Sequence, residues 1–428
     1  MRKVIKSLAC LVIMVRFIVP EVQAQLPPPV TGSYTDSRDG KSYRTVKIGD
    51  QWWFAENLAW LPAVSPPNVD SETNPYYYVY GYTGAEVDEA KAAENYETYG
   101  VLYNWPAATG GAPGSDTNPS GVQGACPAGW HLPGDAEWKQ LEMFLGLTSA
   151  QADAIGWRGS NLAIQMKATE GWSNLGNGTN TSGFTALPGG VKGGSIFSSL
   201  GGSGYWWSAS QYTAGQAWKR QMNYDYTGVQ HYYNYKDDGL SIRCVRNPPD
   251  TLTIQLIPGW NLFSVNLIPD FPDLKLLFDT LIYNSLMVKI VDESGNTLED
   301  RGEPEGWRNN IGNISLTEGY KIMVTASCGI DIVGMKAEYP IRIPLQTGWN
   351  FLSFPGQEIR DGMEVVQQLI DRLTLVKVQD EKGSAIEDLG ELGGWRNMIG
   401  TFVPGKGYRV KMAAADTLTI DSVILPPR

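Results

Sequence analysis

Apolar residues along this chain fall into short alternating runs separated by turn-forming residues, a pattern that predicts many strands and few long helices. Ser42-Tyr43-Arg44-Thr45-Val46-Lys47-Ile48 and Gln51-Trp52-Trp53-Phe54 flank Gly49-Asp50. A two-residue loop whose glycine supplies a positive φ matches the twist of paired strands, so this stretch predicts a hairpin. Further on, Pro133 stops one segment, and Asp135 and Glu137 follow where a helix dipole is positive. A helix is predicted there, with Trp138, Leu141 and Leu145 on its buried side.

Beyond Asn247-Pro248-Pro249-Asp250, where proline geometry breaks regular structure, the chain repeats itself. Gly306-Trp307-Arg308-Asn309 recurs 88 residues later as Gly394-Trp395-Arg396-Asn397. Gly259-Trp260-Asn261-Leu262-Phe263-Ser264 recurs 89 residues later as Gly348-Trp349-Asn350-Phe351-Leu352-Ser353. Two homologous modules are expected, over residues 252–334 and 341–422. Each predicts a strand after its Gly-Trp-Asn. Val366, Leu369, Ile370 and Leu373 have the spacing of an amphipathic helix. Glu293-Ser294-Gly295-Asn296 and Glu381-Lys382-Gly383-Ser384 are turn chemistry between antiparallel strands. The expected module is a small, mostly β unit. Trp260, Trp307, Trp349 and Trp395 read as core anchors, since sugar platforms would need exposed, coplanar rings.

The N-terminus changes the picture of compartment. Arg2, Lys3 and Lys6 precede an apolar run from Leu8 to Val19, and Val22-Gln23-Ala24 has the form of a cleavage site. Residues 1–24 therefore read as a signal peptide, 25–34 as a proline-bearing linker, and 35–247 as the first domain. Arg16 breaks the apolar run, so no transmembrane segment is expected. Loss of Arg2, Lys3, Lys6, Arg16 and Glu21 would take the net charge from −11 to −14. Such a surface repels phosphate backbones, which excludes nucleic acid as a partner. Three cysteines would remain after export, enough for one bridge and one free thiol.

Asp39-Gly40-Lys41-Ser42-Tyr43, Ala55-Glu56-Asn57-Leu58, the string Cys126-Pro127-Ala128-Gly129-Trp130-His131-Leu132-Pro133, Gly183 to Gly190, Tyr205 to Ser210, and Ser241 to Arg246 follow in order. This series resembles the Fibrobacter succinogenes major paralogous domain. The resemblance implies an α+β, C-type-lectin-like fold with long loops. It also implies a disulfide between Cys126 and Cys244, tying together the ends of the domain. Gly134 departs from the family, which has serine or threonine as the helix cap. The C-terminal modules resemble Gly-Trp-Asn repeats of secreted Bacteroidetes proteins.

Candidate chemistry is sparse. The mature chain has two histidines, His131 and His231, to serve any catalytic triad. His131 reads as an imidazole bonded to buried backbone, and His231, within an aromatic stretch, as a possible ligand contact. Formylglycine-generating oxidases share the lectin-like fold family, but their copper chemistry needs a reactive cysteine pair beyond a scaffold bridge. The carboxylates lack calcium-loop spacing, so no metal and no cofactor is expected, and no enzyme.

The densest signal is ten aromatic residues between Tyr205 and Tyr235, about three times the chain average. Tyrosine and tryptophan beside amides form a paratope-like composition. The candidate ligand-binding residues are Tyr212, Gln216, Trp218, Asn223, Tyr224, Tyr226, Gln230, Tyr232, Tyr233, Asn234 and Tyr235. Core or rim packing is the competing reading for the rings, and Trp206 and Trp207 are assigned mostly to packing. The expected function is a secreted or cell-surface, non-enzymatic protein recognising an extracellular protein or glycan. The alternative is an accessory component of a polysaccharide-degrading or surface assembly, docked through its repeats.

Overall fold

A computed structural model describes residues 28–421; the expected signal peptide and its Cys10 lie outside the described residues. The architecture is mixed, with many short strands in small sheets and a few short helices.

The predicted hairpin forms from strands Ser42–Ile48 and Gln51–Phe54, with Ile48 opposite Gln51 and Gly49 at φ 62°. Its inward residues Tyr43, Val46, Trp53 and Phe54 are fully buried. Residues 30–34, expected in the linker, instead belong to strand Val30–Thr35, which pairs with Ser42–Ile48. This edge strand buries almost nothing, so its sequence carries no apolar alternation to reveal it. Strands Val245–Arg246 and Trp130–His131 complete a five-stranded sheet. The first and last strands of the unit thus share one sheet. The Cys126–Cys244 disulfide closes the same region from within the core.

A second sheet has six strands, in the order Gly156–Arg158, Val229–Tyr235, Gln216–Asn223, Ser203–Thr213, Gly189–Gly193 and Ile196–Leu200. Two apolar cores flank this framework. Adjacent residues on a strand point to opposite sides, so Trp206 and Trp53 enter one core while Trp207 and Phe54 enter the other. Between them lies Arg243, fully buried. Its guanidinium donates to Asn57 Oδ1 at 2.9 Å and to the carbonyls of Phe54, Phe184 and Thr185. Burial lowers its pKa to about 9.

Helix Asp135–Phe144 buries Trp138 and Leu141 as predicted, with Leu145 buried at its end. Gly134 has no side chain with which to cap it. The Glu137 carboxylate takes over, accepting from the Gly134 and Ser120 N–H groups at 2.9 and 3.0 Å. His131 is held by side chains rather than by buried backbone, with Nε2 2.6 Å from Glu137 and Nδ1 2.7 Å from Asn247.

The C-terminal region contains two five-stranded sheets of the same strand order. The first runs Gly259–Phe263, Tyr320–Val324, Met287–Val291, Thr297–Asp300 and Trp307–Asn309. The second runs Gly348–Ser353, Gly407–Met412, Leu375–Gln379, Ala385–Asp388 and Trp395–Asn397. The predicted turns join their strands, with Gly295 and Gly383 at positive φ. Helix Gly362–Asp371 buries Val365, Val366 and Leu369. Leu373 lies beyond its end, at φ 58° and 85% exposed, as does its counterpart Ser285 at φ 56° in the first module.

Trp260 and Trp349 contradict their reading as core anchors, since each is 42% exposed. The neighbouring Asn261 and Asn350 take the inward position. Each asparagine bonds both the N–H and the carbonyl four residues before it, which pins the turn. Strand alternation then sends the tryptophan outward, under Lys321 in one module and Arg409 in the other. Trp307 and Trp395 are half-buried against their cores.

Two stability outcomes follow. Replacing Cys126 and Cys244 by serine opens a loop of 118 residues, and denaturant unfolding of the first unit should register a loss of about 4 to 5 kcal/mol. Leu373→Gly relieves a left-handed leucine at a helix end and should stabilise the second module by about 0.5 to 1 kcal/mol, measured as a shift in denaturation midpoint.

Candidate recognition face

Strand Gln216–Asn223 lies between Ser203–Thr213 and Val229–Tyr235, with Trp218 opposite Tyr233, Lys219 opposite Tyr232, and Arg220 opposite His231. Alternation along these strands separates two chemistries. On one face Arg220 is fully buried against helix Asp135–Phe144, 2.7 Å from Glu142 and 2.8 Å from Asp135. Arg158 also pairs with Glu142, and His231 Nε2 lies 3.0 Å from Asp135. Burial alone would raise the pKa of Asp135, but Arg220 and His231 outweigh it and hold the carboxyl well below its usual range. His231 is 1% exposed, so it is not a ligand contact. Trp218 packs on the His231 ring, and Tyr212 stacks on Tyr233 at a centroid distance of 4.3 Å.

The opposite face opens into a hollow of about 480 Å³. Tyr205, Lys219, Gln221, Gln230, Tyr232 and Asn234 line it, and Gln216, Tyr233 and Tyr235 complete its rim. Tyr232 and Tyr235 are 37% and 60% exposed. Lys219 is 3% exposed and donates to Gln221 Oε1 at 2.6 Å and Gln230 Oε1 at 3.1 Å. Its ammonium lies 4.8 Å from the centre of the Tyr205 ring. Burial pulls its pKa down to about 7, against the opposing charge of Asp238. Burial and then Asp237 push Asp238 itself up to about 6.

Six of the candidate residues, Gln216, Gln230, Tyr232, Tyr233, Asn234 and Tyr235, thus meet at one hollow. Tyr212 and Trp218 stack on the other side of the hairpin. Asn223, Tyr224 and Tyr226 lie at its far end, where Asn223 bonds Ser203, Tyr224 packs on the core, and Tyr226 stacks on Trp157. Aromatic density includes Tyr205 without marking it as a contact, and Lys219 and Gln221 carry no compositional signal. The parity of Lys219, Gln221 and Tyr232 across paired strands was the available signal. Among the described residues no group of three or more His, Cys, Asp or Glu side chains is placed to hold a metal ion, and no helix is long and apolar enough to cross a membrane.

Removing one partner from a buried ion network strands the others. Arg220→Met should therefore destabilise the first unit by about 3 to 5 kcal/mol, read by denaturant titration. Asp135 has a depressed folded-state pKa, so its contribution is complete above about pH 4 and is lost as the pH falls below that. Acid titration of Asp135→Asn should show a shallower loss of stability than the parent chain in that window.

No curated protein and no solved structure matches the chain. The residues that build the hollow all fall within residues 46–246, which match the family model of the Fibrobacter succinogenes major domain, and this match supports the first unit as a major paralogous domain.

Proposed function

We propose that this is an exported, non-enzymatic recognition protein. Its first unit, of C-type-lectin-like form, binds an extracellular glycan or protein through the hollow on the Ser203–Tyr235 hairpins. One observation carries the reading: exposed tyrosines and half-buried amides converge on a single concavity. Rigid rings with polar tips lose little conformational entropy on binding, and amides adapt to varied hydrogen-bond partners. Both imidazoles are buried in contacts with carboxylates, which favours binding over acid–base catalysis. The disulfide suits an oxidising compartment, and the meeting of both ends of the unit in one sheet supports the lectin-like reading.

A second reading, docking through the repeats in an extracellular assembly, is favoured by the exposure of Trp260 and Trp349. A glycan array and pull-down with the full chain should separate the two. Joint Tyr232→Ala and Tyr235→Ala substitution is expected to weaken capture at least tenfold, roughly the loss of one interfacial hot spot. Capture that persists in that variant but disappears with Trp260→Ala and Trp349→Ala would transfer the function to the modules.

A further inference from the structure

The hollow has one charged lining residue, Lys219, surrounded by tyrosines and amides. Among the described residues no carboxylate forms an ion pair with it. Its two acceptors are the neutral amide oxygens of Gln221 and Gln230. By contrast, the neighbouring buried cation Arg220 has two carboxylates. A buried ammonium held only by amides and a ring face keeps much of its desolvation cost, and an incoming anion would offset it through a charge-assisted bond.

We infer that the hollow takes the terminal sugar of a glycan bearing a single carboxylate, and that Lys219 pairs with that carboxylate. The inference rests on the recognition reading above and narrows its ligand. Gln216, Gln221, Gln230 and Asn234 supply donors and acceptors suited to sugar hydroxyls. The exposed ring of Tyr232 offers a flat apolar surface to the C–H face of a sugar ring. The volume of about 480 Å³ lies within the range of small-ligand sites. One cation in the lining of the hollow, on a chain of net charge −11, fits one acidic sugar better than a polyanion, which the rest of the surface would repel.

The pairing ties affinity to pH. Lys219 faces Tyr205 on one neighbouring strand, Tyr232 on the other, and Asp238 in the turn that follows. Asp238 in turn lies near Asp237, Lys192 and Asp70. A carboxylate ligand selects the protonated lysine, so apparent affinity scales with the protonated fraction. With a free-site pKa of about 7, affinity should fall about tenfold between pH 6 and pH 8.

The test uses the full chain and oligosaccharides ending in glucuronic, galacturonic or sialic acid, each beside its carboxyl-reduced counterpart. Titration calorimetry at pH 6 and pH 8 is expected to show at least one acidic sugar bound tenfold or more tighter than its reduced form at pH 6. That preference should shrink about tenfold by pH 8, disappear in Lys219→Met, and persist without pH dependence in Lys219→Arg. Asp238→Asn should retain the decline above pH 7, which assigns it to the lysine. Equal binding of acidic and reduced sugars, binding of neither, or an acid preference unchanged in Lys219→Met overturns the inference. The recognition reading survives any of these if a ligand found on the array still requires Tyr232 and Tyr235, and it falls separately if none does.

Discussion

The first unit depends on the burial of Arg220 between Glu142 and Asp135. A guanidinium with no exposure to water tolerates few arrangements, because each N–H needs an acceptor, and here two carboxylates also balance the charge. Helix Asp135–Phe144 supplies both acids from one side, two turns apart, with Trp138 about one turn from each. The central strand is thereby locked to the helix in one register. A slip of one residue would bury Lys219 against the acids and turn Arg220 outward. This pairing also decides that Lys219 and Gln221 look away from the helix, since adjacent residues of a strand point to opposite faces.

Three of the buried cations in this unit, Arg220, Arg243 and Lys219, meet their requirements differently. Arg220 has carboxylates, and Arg243 has an amide oxygen and three backbone carbonyls. Lys219 has two flexible glutamines. The first two ties join distant segments of backbone or helix and so make the framework rigid. Glutamine side chains at the edge of a hollow can turn away when a better acceptor arrives, and the backbone need not follow. Adjacent positions of one strand therefore separate a structural charge from an exchangeable one.

Much of this was legible in the sequence where burial leaves a periodic trace. The 42–54 hairpin, the buried side of the 135–144 helix and the turns of the modules all put apolar or turn residues at spacings set by geometry. Strand Val30–Thr35 leaves no periodic trace because Tyr34 is the one side chain of the strand that is partly buried, packed on Phe54 and Trp130, and a single inward residue makes no alternation. Leu373 mimics helical spacing although it is exposed and left-handed, because it lies two residues beyond the helix and four after the buried Leu369. At the candidate site, composition found the aromatic density but could not divide it between faces. That division depends on which residue of the hairpin opposes the helix, and the opposing acids are contributed by a segment about 80 residues away.

The modules show the same dependence on a partner outside the local sequence. Asn261 and Asn350 each close a turn within their own module, but the edge strands that hold them reach across to the other. Leu262 N–H donates to Glu381, and Phe351 N–H donates to Glu293, each glutamate belonging to the opposite module. Because the residues are equivalent by repeat, one contact made twice relates the modules as halves of a pseudo-symmetric pair. It also covers backbone donors on strand edges that would otherwise invite another chain. The duplication therefore has a physical role beyond two copies of a fold, since each copy caps the edge of the other while the tryptophan that precedes each buried asparagine stays at the surface.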